Sequence, residues 1–520
     1  MSKLFKTEDI KKESITQIKL MLPISCAMLL RRTVDVVSLI FVGHAKGDQL
    51  YIGGVGLATT IANVTGYSML VGLTGALSTF ASVANGANDN ETLVLSLQRM
   101  LLMAILLCIP ITLLWSNSYD IIIELGQEEN IAYLASQYLF TLIPGLWFLG
   151  LSACLQTWLY AQNDTKMVMI MAIIQTCIHP FVNYLFIYTM NMGWIGAGAA
   201  SSVSKGIYFA FLVSYIDLKY SSKLNMKWRR EAFDLNGWIP MLKLAAANVV
   251  MMMEWWCSEV IIFLSGLLPV DANVNVASMT IFQQTNSICF MLPAGIQMAG
   301  SARVGYSLGA GNAKAAHLSA YTAPLVGLAL SCTMAIVLLG VRDHWGKLFT
   351  SDEDVVSLVA ILLQPLSVYI IADGIQCSLT AVIKGTGKQA VGGPVVLFSY
   401  YVIGLPIAVY LAFNFGLSFG VLGLCIGTAI GTWVHMFIYL YICNCIDWEG
   451  EVTIAAQRQN HKDDNIVLKN NSSSSGSSGG NGDNGSMEMG TSSSSGRSSS
   501  NSDRKDTKYV ILEGEDYESD

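Results

Sequence analysis

The chain has 520 residues, of which 53% are hydrophobic and only 13% charged. Soluble domains carry about 25% charged residues, so this composition excludes an ordinary soluble protein and predicts a polytopic membrane protein. The net charge of −7 decides little, because much of the acid lies in the C-terminal tail.

The polar start MSKLFKTEDIKKES has no apolar core with a cleavage site, so no signal peptide is expected. A membrane-crossing helix needs about 20 mostly apolar residues. Twelve such stretches follow, at 20–41, 52–80, 97–116, 132–160, 167–189, 193–216, 239–266, 274–298, 318–340, 355–383, 393–413 and 418–444. Lys and Arg crowd the segment before the first span (Lys3, Lys6, Lys11, Lys12, Lys19) and the linker after the sixth (Lys219, Lys223, Lys227, Arg229, Arg230). The other even-numbered loops hold Lys166, Arg303, Lys314, Lys384 and Lys388. The odd-numbered loops hold only Lys46, Arg342 and Lys347, and one of them carries Asp120, Glu124, Glu128 and Glu129. Because cytoplasmic loops hold the excess of Lys and Arg, both termini are expected in the cytoplasm, which requires an even number of spans. The eleven cysteines lie scattered in apolar segments without a C-x-x-C and read as packing residues, not as a metal site or disulfide framework.

The seventh span contains MMMEWWCSEVIIFLSGLL, residues 251–268, with Glu254 and Glu259 inside an apolar run. A carboxylate at membrane depth is costly unless it faces a polar cavity or carries a proton. One alone could be a structural carboxylate bonded to a neighbouring helix; two in one span predict a cation or proton site. Five residues correspond to about 140° around an α-helix, so the two cannot share a narrow face: either the helix presents a broad face to a cavity, or one Glu binds and the other holds structure, with Glu254 the first candidate. From about Asp447 the composition changes, and 470–502 is mostly Ser, Gly and Asn. Such a segment buries too little apolar surface to fold, so 447–520 is expected to be a disordered cytoplasmic tail, with its last residues YVILEGEDYESD part of it.

A shift of 223 residues aligns the two halves without a gap over about 45 positions. Gly43 meets Gly266, Asp48 meets Asp271, Asn63 meets Asn286, Gly72 meets Gly295, Ser78 meets Ser301, Gly86 meets Gly309 and Ala87 meets Ala310. Each copy holds six spans. An even number returns the chain to its starting side, so the copies are expected to be parallel and related by a two-fold axis along the membrane normal, as in some secondary transporters. The predicted fold is all-α, with twelve transmembrane helices in two six-helix lobes. The expected divisions are an N-terminus at 1–18, an N-lobe at 19–217, a linker at 218–238, a C-lobe at 239–446 and the tail.

Several runs resemble the multidrug and toxic compound extrusion (MATE) transporters of eukaryotes. EWWCSEVIIFLSGLL is similar to their E-W-W-x-x-E-x-x-x-L-x-G-L-L signature, and MLPAGIQMAGSARVGYSLGAGN to their P-x-G-x-x-x-A-x-S-x-R-V-x-N-x-L-G-A-G-N stretch. IKGTGKQAVGGPVVLFSYYVIGLPIAVYL, FVGHAKGD and TGALSTFASVANGA fit the same pattern, and the likeness covers roughly 18–445. It implies two lobes around a central cleft and export of organic cations, drugs or amphipathic metabolites, driven by H⁺ or, in some members, Na⁺. It implies that Glu254 and Glu259 carry the coupling proton and attract cationic substrate, and that Asp373 in span 10 shares the proton role. Without that role, Asp373 would be a packing residue bonded to Gln376 or a neighbouring helix. Asp35 resembles the first-helix Asp of bacterial members, and Asn183 an amide that bonds it there. Yet Arg31 precedes Asp35 by one turn, where an i,i+4 ion pair is easily made, and such a cation works against proton carriage. Gln284 stands where some animal members have an acid, so it can bond substrate but carries no proton. Trp255 and Trp256 can stack a cationic aromatic substrate or simply pack. His179, before Pro180, is placed to bond a carbonyl freed by the proline kink.

The chain is expected to be a transporter and not an enzyme. H-E-x-x-H and comparable catalytic constellations are absent from the sequence, as is an ATP-binding motif, since GTGKQ has Gln389 where a phosphate loop needs Ser or Thr. The nearest rival is a lipid or lipid-linked oligosaccharide flippase, which would need a basic cavity. Arg31 and Arg32 favour it, and the carboxylates in spans 7 and 10 oppose it. The expected partners are a small organic substrate and the bilayer, with no nucleic acid, cofactor or metal, in a monomer. The expected location is the plasma membrane or an acidic organelle such as a vacuole or endosome.

Overall fold

The structure is a computed structural model that describes residues 5–46, 49–268, 272–350, 352–413 and 417–458. Asp48, Asp271 and the tail beyond 458 lie outside the described residues. The elements, in order, are α1 (Thr7–Lys46), α2 (Gln49–Ala62), α3 (Ser68–Gly86), α4 (Asn90–Ser116), α5 (Ser118–Glu124), α6 (Glu129–Ala161), α7 (Lys166–Tyr184), α8 (Trp194–Tyr220), α9 (Ile239–Met251), α10 (Met253–Gly266), α11 (Ala272–Gly309), α12 (Ala313–Trp345), α13 (Glu353–Thr386), α14 (Gln389–Leu397), α15 (Leu405–Ala412) and α16 (Val421–Asn444). A final helix, α17, spans 448–458. Helix throughout is what lipid demands, since a spanning segment there must satisfy its own backbone hydrogen bonds.

Short π-helical turns, Asn63–Tyr67, Leu185–Thr189 and Phe398–Gly404, continue α2 into α3, extend α7, and join α14 to α15. Among the described residues, ten helical stretches are long and apolar enough to cross a membrane. Two more, α1 and α11, run for 40 and 38 residues. The first carries Arg31, Arg32 and Asp35 in its middle, and the second a series of Asn, Gln and Thr. These complete the twelve spans. Outward-facing side chains such as Leu113, Phe140, Phe263 and Ile336 are more than half exposed, as a lipid-facing surface requires.

The 223-residue repeat is visible in three dimensions. Asp89 caps α4 by accepting from the Thr92 N–H at 3.0 Å, and its counterpart Asn312 caps α12 by accepting from the Ala315 N–H at 2.9 Å. The residues just before them, Asn88 and Gly311, both turn through the left-handed region, at φ 56° and 71°. More telling is where the copies touch. Ser78 Oγ and Ser301 Oγ, counterparts in the repeat, lie 3.2 Å apart. A Cβ on Gly305 would overlap Ser82, its own counterpart. A Cβ on Gly86 would overlap the Tyr306 carbonyl, and one on Gly309 the Val83 carbonyl, again as a reciprocal pair. Residues meet their own counterparts only at a two-fold axis, so α3 and α11 cross on that axis. Around them α1 packs on α11 and α9 packs on α3, a symmetric exchange between the lobes.

Near this contact a second set of bonds fastens the start of α1 to the C-lobe. Arg303 Nη2 and Nε donate to Glu13 at 2.7 and 3.1 Å, Ser319 donates to Glu13 at 2.7 Å, and Gln17 donates to the Ser319 carbonyl and Thr322 Oγ1 at 2.9 and 3.0 Å. Burial alone would raise the Glu13 carboxyl, but the Arg303 fork, Ser319 and Gln17 outweigh it and hold Glu13 below the usual carboxylate range.

Four details differ from expectation. Arg303 and Lys384 lie inside α11 and α13, not in loops, and Lys384 is only 4% exposed. Span 7 is broken at Met252 between α9 and α10, two residues before Glu254. The acidic loop after span 3 contains the short helix α5. The first residues assigned to the tail form α17, which is fastened to the C-lobe: Lys388 pairs with Glu451 at 2.6 Å, Arg458 donates to the Thr386 carbonyl at 2.9 Å, and Trp448 stacks on His317.

Two outcomes are expected. With exposed Cys26, Cys177 and Cys445 replaced, Ser78→Cys with Ser301→Cys should cross-link on oxidation, read as two halves held together after proteolysis in the 218–238 linker; halves that separate would contradict the axis. A carboxyl held low in the folded state stabilises above its unfolded pKa and loses that contribution as pH falls through the folded value. Glu13→Gln should therefore cost about 2 kcal/mol near neutrality, and the gap in thermal midpoint should close on acidification below the ordinary Glu range. A gap independent of pH would contradict the ion pair.

Candidate functional site

In the C-lobe, Glu254 stands in the first turn of α10, just after the Met252 break. Its side chain is 14% exposed. Tyr400 Oη donates to Glu254 Oε1 at 2.6 Å, and Gln376 Nε2 donates to Oε2 at 3.4 Å. Tyr400 also lies 3.0 Å from Thr432 Oγ1. It belongs to the π-helical turn between α14 and α15, where the extra residue per turn re-aims side chains, as π turns commonly do at functional sites. Asp373, 2% exposed on α13, lies in the field of Glu254. Its recorded bond is from the Cys377 thiol at 3.8 Å, while Gln376, the partner expected for a packing role, serves Glu254 instead. His435 on α16 is fully buried, with Nδ1 4.0 Å from Glu254 Oε2 and no hydrogen-bond partner on either ring nitrogen among the described residues. Lys384, whose Nζ donates to Gln297 at 3.4 Å, brings one positive charge into range of Glu254.

Glu259 looks elsewhere, as the 140° separation requires. It lies in the field of Arg32, and Arg32 donates across the lobes to Gln284 Oε1 at 3.4 Å. Gln284 is exposed. Trp255 is also exposed, with its ring edge-on to Phe290 at 4.9 Å. Trp256 donates to Ser68 Oγ of the N-lobe at 3.3 Å, so its recorded bond is an inter-lobe contact.

The N-lobe corrects two expectations. Asp35 pairs not with Arg31 but with Lys205 of α8, at 4.0 Å. Lys205 also donates to Tyr67 Oη at 3.0 Å and sits 4.7 Å from the centre of that ring. Arg31 turns to Gln156 Oε1, at 2.5 Å. Asn183 is fully buried and bonds His179, not Asp35. His179 ties three helices together through Ser38 Oγ at 2.9 Å and Ser204 Oγ at 2.8 Å, and it also bonds the Val34 backbone. None of these partners is a carbonyl freed by the Pro180 kink on α7, so that expectation for His179 gives way to contacts between helices.

Sequence reasoning passed over Lys205, Lys384, Tyr400 and His435. Three of them carried a readable signal, because an ionisable residue inside a span marks a functional site by default. Tyr400 did not, since its role depends on the π turn.

Comparison with known proteins places this geometry. The MatE family model matches twice, over residues 23–185 and 246–410, and the two matches begin 223 residues apart, the repeat seen at Ser78 and Ser301. Protein DETOXIFICATION 16 of Arabidopsis thaliana is 32% identical over 419 residues, covering 80% of this chain and 85% of that protein. Protein DETOXIFICATION 17 of the same organism is also 32% identical, covering 80% and 87%. The crystal structure of the eukaryotic MATE transporter AtDTX14 superposes with a TM-score of 0.80 at 28% identity, covering 86% of this chain and 99% of that one. An outward-facing multidrug resistance MATE family transporter shares the fold, with a TM-score of 0.74 at 16% identity over 86% and 97% of the two chains. This chain therefore belongs to the multidrug and toxic compound extrusion family, as a multi-pass efflux transporter of the eukaryotic type.

Proposed function

We propose that this protein is a proton-coupled antiporter that exports small amphipathic organic molecules, organic cations among them, with Glu254 and Asp373 as the coupling pair. The observation that carries this reading is the setting of Glu254: a carboxylate inside the C-lobe, bonded by Tyr400 and Gln376, beside a second buried carboxylate. Keeping two negative charges in such a pocket costs several kcal/mol unless they are compensated. Lys384 compensates for one. A proton or a cationic substrate supplies the rest, and the two then exclude one another, which is exchange. The Tyr400 hydroxyl donates to the charged carboxylate and can turn to Thr432 when the proton arrives.

The face carrying Glu13, Arg303 and the Ser78–Ser301 contact is read as cytoplasmic, because the Lys- and Arg-rich loops gather there. Both termini then lie in the cytoplasm, and this conformation is closed on that side. Export then runs into an acidic exterior or an acidic organelle.

The test is uptake of a fluorescent organic cation into proteoliposomes under an imposed pH gradient. Wild type should accumulate the dye, and Glu254→Gln should fall to background with its folded fraction unchanged. Uptake that ignores the pH gradient and follows Na⁺ would transfer the coupling role to that ion. Uptake retained in Glu254→Gln would remove Glu254 from it.

A further inference from the structure

Apart from the coupling pair, the polar interior of the N-lobe has the opposite charge. Arg31, Arg32 and Lys205 stand mid-helix there in α1 and α8, with Asp35 as the carboxylate among them. Lys205 is matched by Asp35, and Arg32 lies in the field of Glu259. Arg31 has no carboxylate within 4 Å among the described residues. Its recorded bond is to the neutral Gln156, and its Nε is buried without an acceptor. A partly buried guanidinium with a neutral partner is unusual, because burying a charge is costly unless it is paired.

The groups around it share the same deficiency. Tyr160 of α6 and Tyr208 of α8 are 6% and 2% exposed, and both lie in the field of Arg31. Their hydroxyls are buried without a hydrogen-bond partner among the described residues. Buried hydroxyls are nearly always bonded, so each orphan calls for an explanation. Here two phenolic donors and the free Nε–H of Arg31, from three different helices, all lack an acceptor, and the charge of Arg31 favours a negative one. An oxyanion fits, since guanidinium matches carboxylate in a fork and charge-assisted bonds are the strong ones.

We propose that Arg31, Tyr160 and Tyr208 form an anion subsite in the N-lobe that takes the carboxylate or sulfonate of the transported molecule, so that the substrates of this transporter are acidic or zwitterionic amphiphiles. This rests on the exporter reading but not on its coupling ion. The anionic end docks on Arg31, while any basic end is left for the carboxylates of the C-lobe. Gln156 holds the guanidinium in place from behind. Lys205, three residues before Tyr208 on the same helix face, adds positive potential without being spent on the ligand, because Asp35 already engages it.

The test is equilibrium binding to the full chain in nanodiscs of zwitterionic lipid, with no gradient, so that a failed coupling mechanism does not affect it. The probes are aryl carboxylates of increasing size, beginning with 2-naphthoate, each paired with its uncharged amide. In wild type at least one acid should bind about tenfold or more tighter than its amide, the size expected of hydrogen bonds to a charged group. Arg31→Gln should abolish that preference, bringing the affinity for each acid down to that for its amide. Tyr208→Phe, which keeps the shape and the charge, should reduce it several-fold, and it carries the test alone if Arg31→Gln does not fold. Acids that bind no better than their amides throughout the series, or a preference that survives in both variants, would overturn the subsite. Loss of pH-driven dye uptake with the acid preference intact would instead count against the coupling reading alone.

Discussion

The structure depends on one contact, the crossing of α3 and α11 on the axis that relates the two halves. Ser78 meets Ser301 there, Gly86 lies against Tyr306, and Gly309 against Val83. Lipid offers no hydrophobic drive to bring helices together, so close backbone approach between small residues has to do it. A Cβ at any of these glycines would separate the helices and, with them, the lobes. The same contact defines where movement is possible. If the lobes rock against one another, as the proposed exchange requires, this Gly- and Ser-lined crossing is the pivot, and the Glu13–Arg303 pair ties one side of it.

Upon this symmetric frame the charges are placed asymmetrically. The C-lobe concentrates carboxylates at Glu254 and Asp373, and the N-lobe concentrates cations at Arg31 and Lys205. Counterparts in the repeat share backbone roles, such as the caps Asp89 and Asn312, but not chemistry. Duplication supplied two equivalent scaffolds, and the buried ionisable residues made them different. Because each charge at membrane depth is costly, its partners matter: Lys205 serves Asp35 and Tyr67, Lys384 offsets Glu254, and Arg31 bonds the neutral Gln156.

Much of this was legible in the sequence because it rests on spacing. The register of Ser78 on Ser301 and Gly86 on Gly309 required only that small residues recur at one shift. Glu254 and Glu259 were visible because acids are rare in apolar runs, and their divergence followed from helix geometry alone. What was not legible depends on which helix faces which. Local spacing joined Asp35 to Arg31, but α8 brings Lys205 closer, so tertiary packing overrode the i,i+4 pair. The expected link from Asn183 to Asp35 gave way to His179, one turn away on the same helix. Tyr400 reaches Glu254 because a π turn shifts it, and α17 folds because Lys388 and Thr386 offer it partners in the C-lobe. None of these leaves a trace in composition.

The central claim is that the protonation state of the Glu254–Asp373 pair governs how the lobes rock about the α3–α11 seam. Spin labels at exposed Asn90, at the start of α4, and Lys314, at the start of α12, report the distance between the lobes on the sealed side without requiring a substrate. The account predicts that the distance distribution in wild type shifts between two populations as pH is taken from acid to alkaline through neutrality, and that Glu254→Gln with Asp373→Asn holds one population at every pH. A distribution that responds to pH identically in both proteins would contradict it.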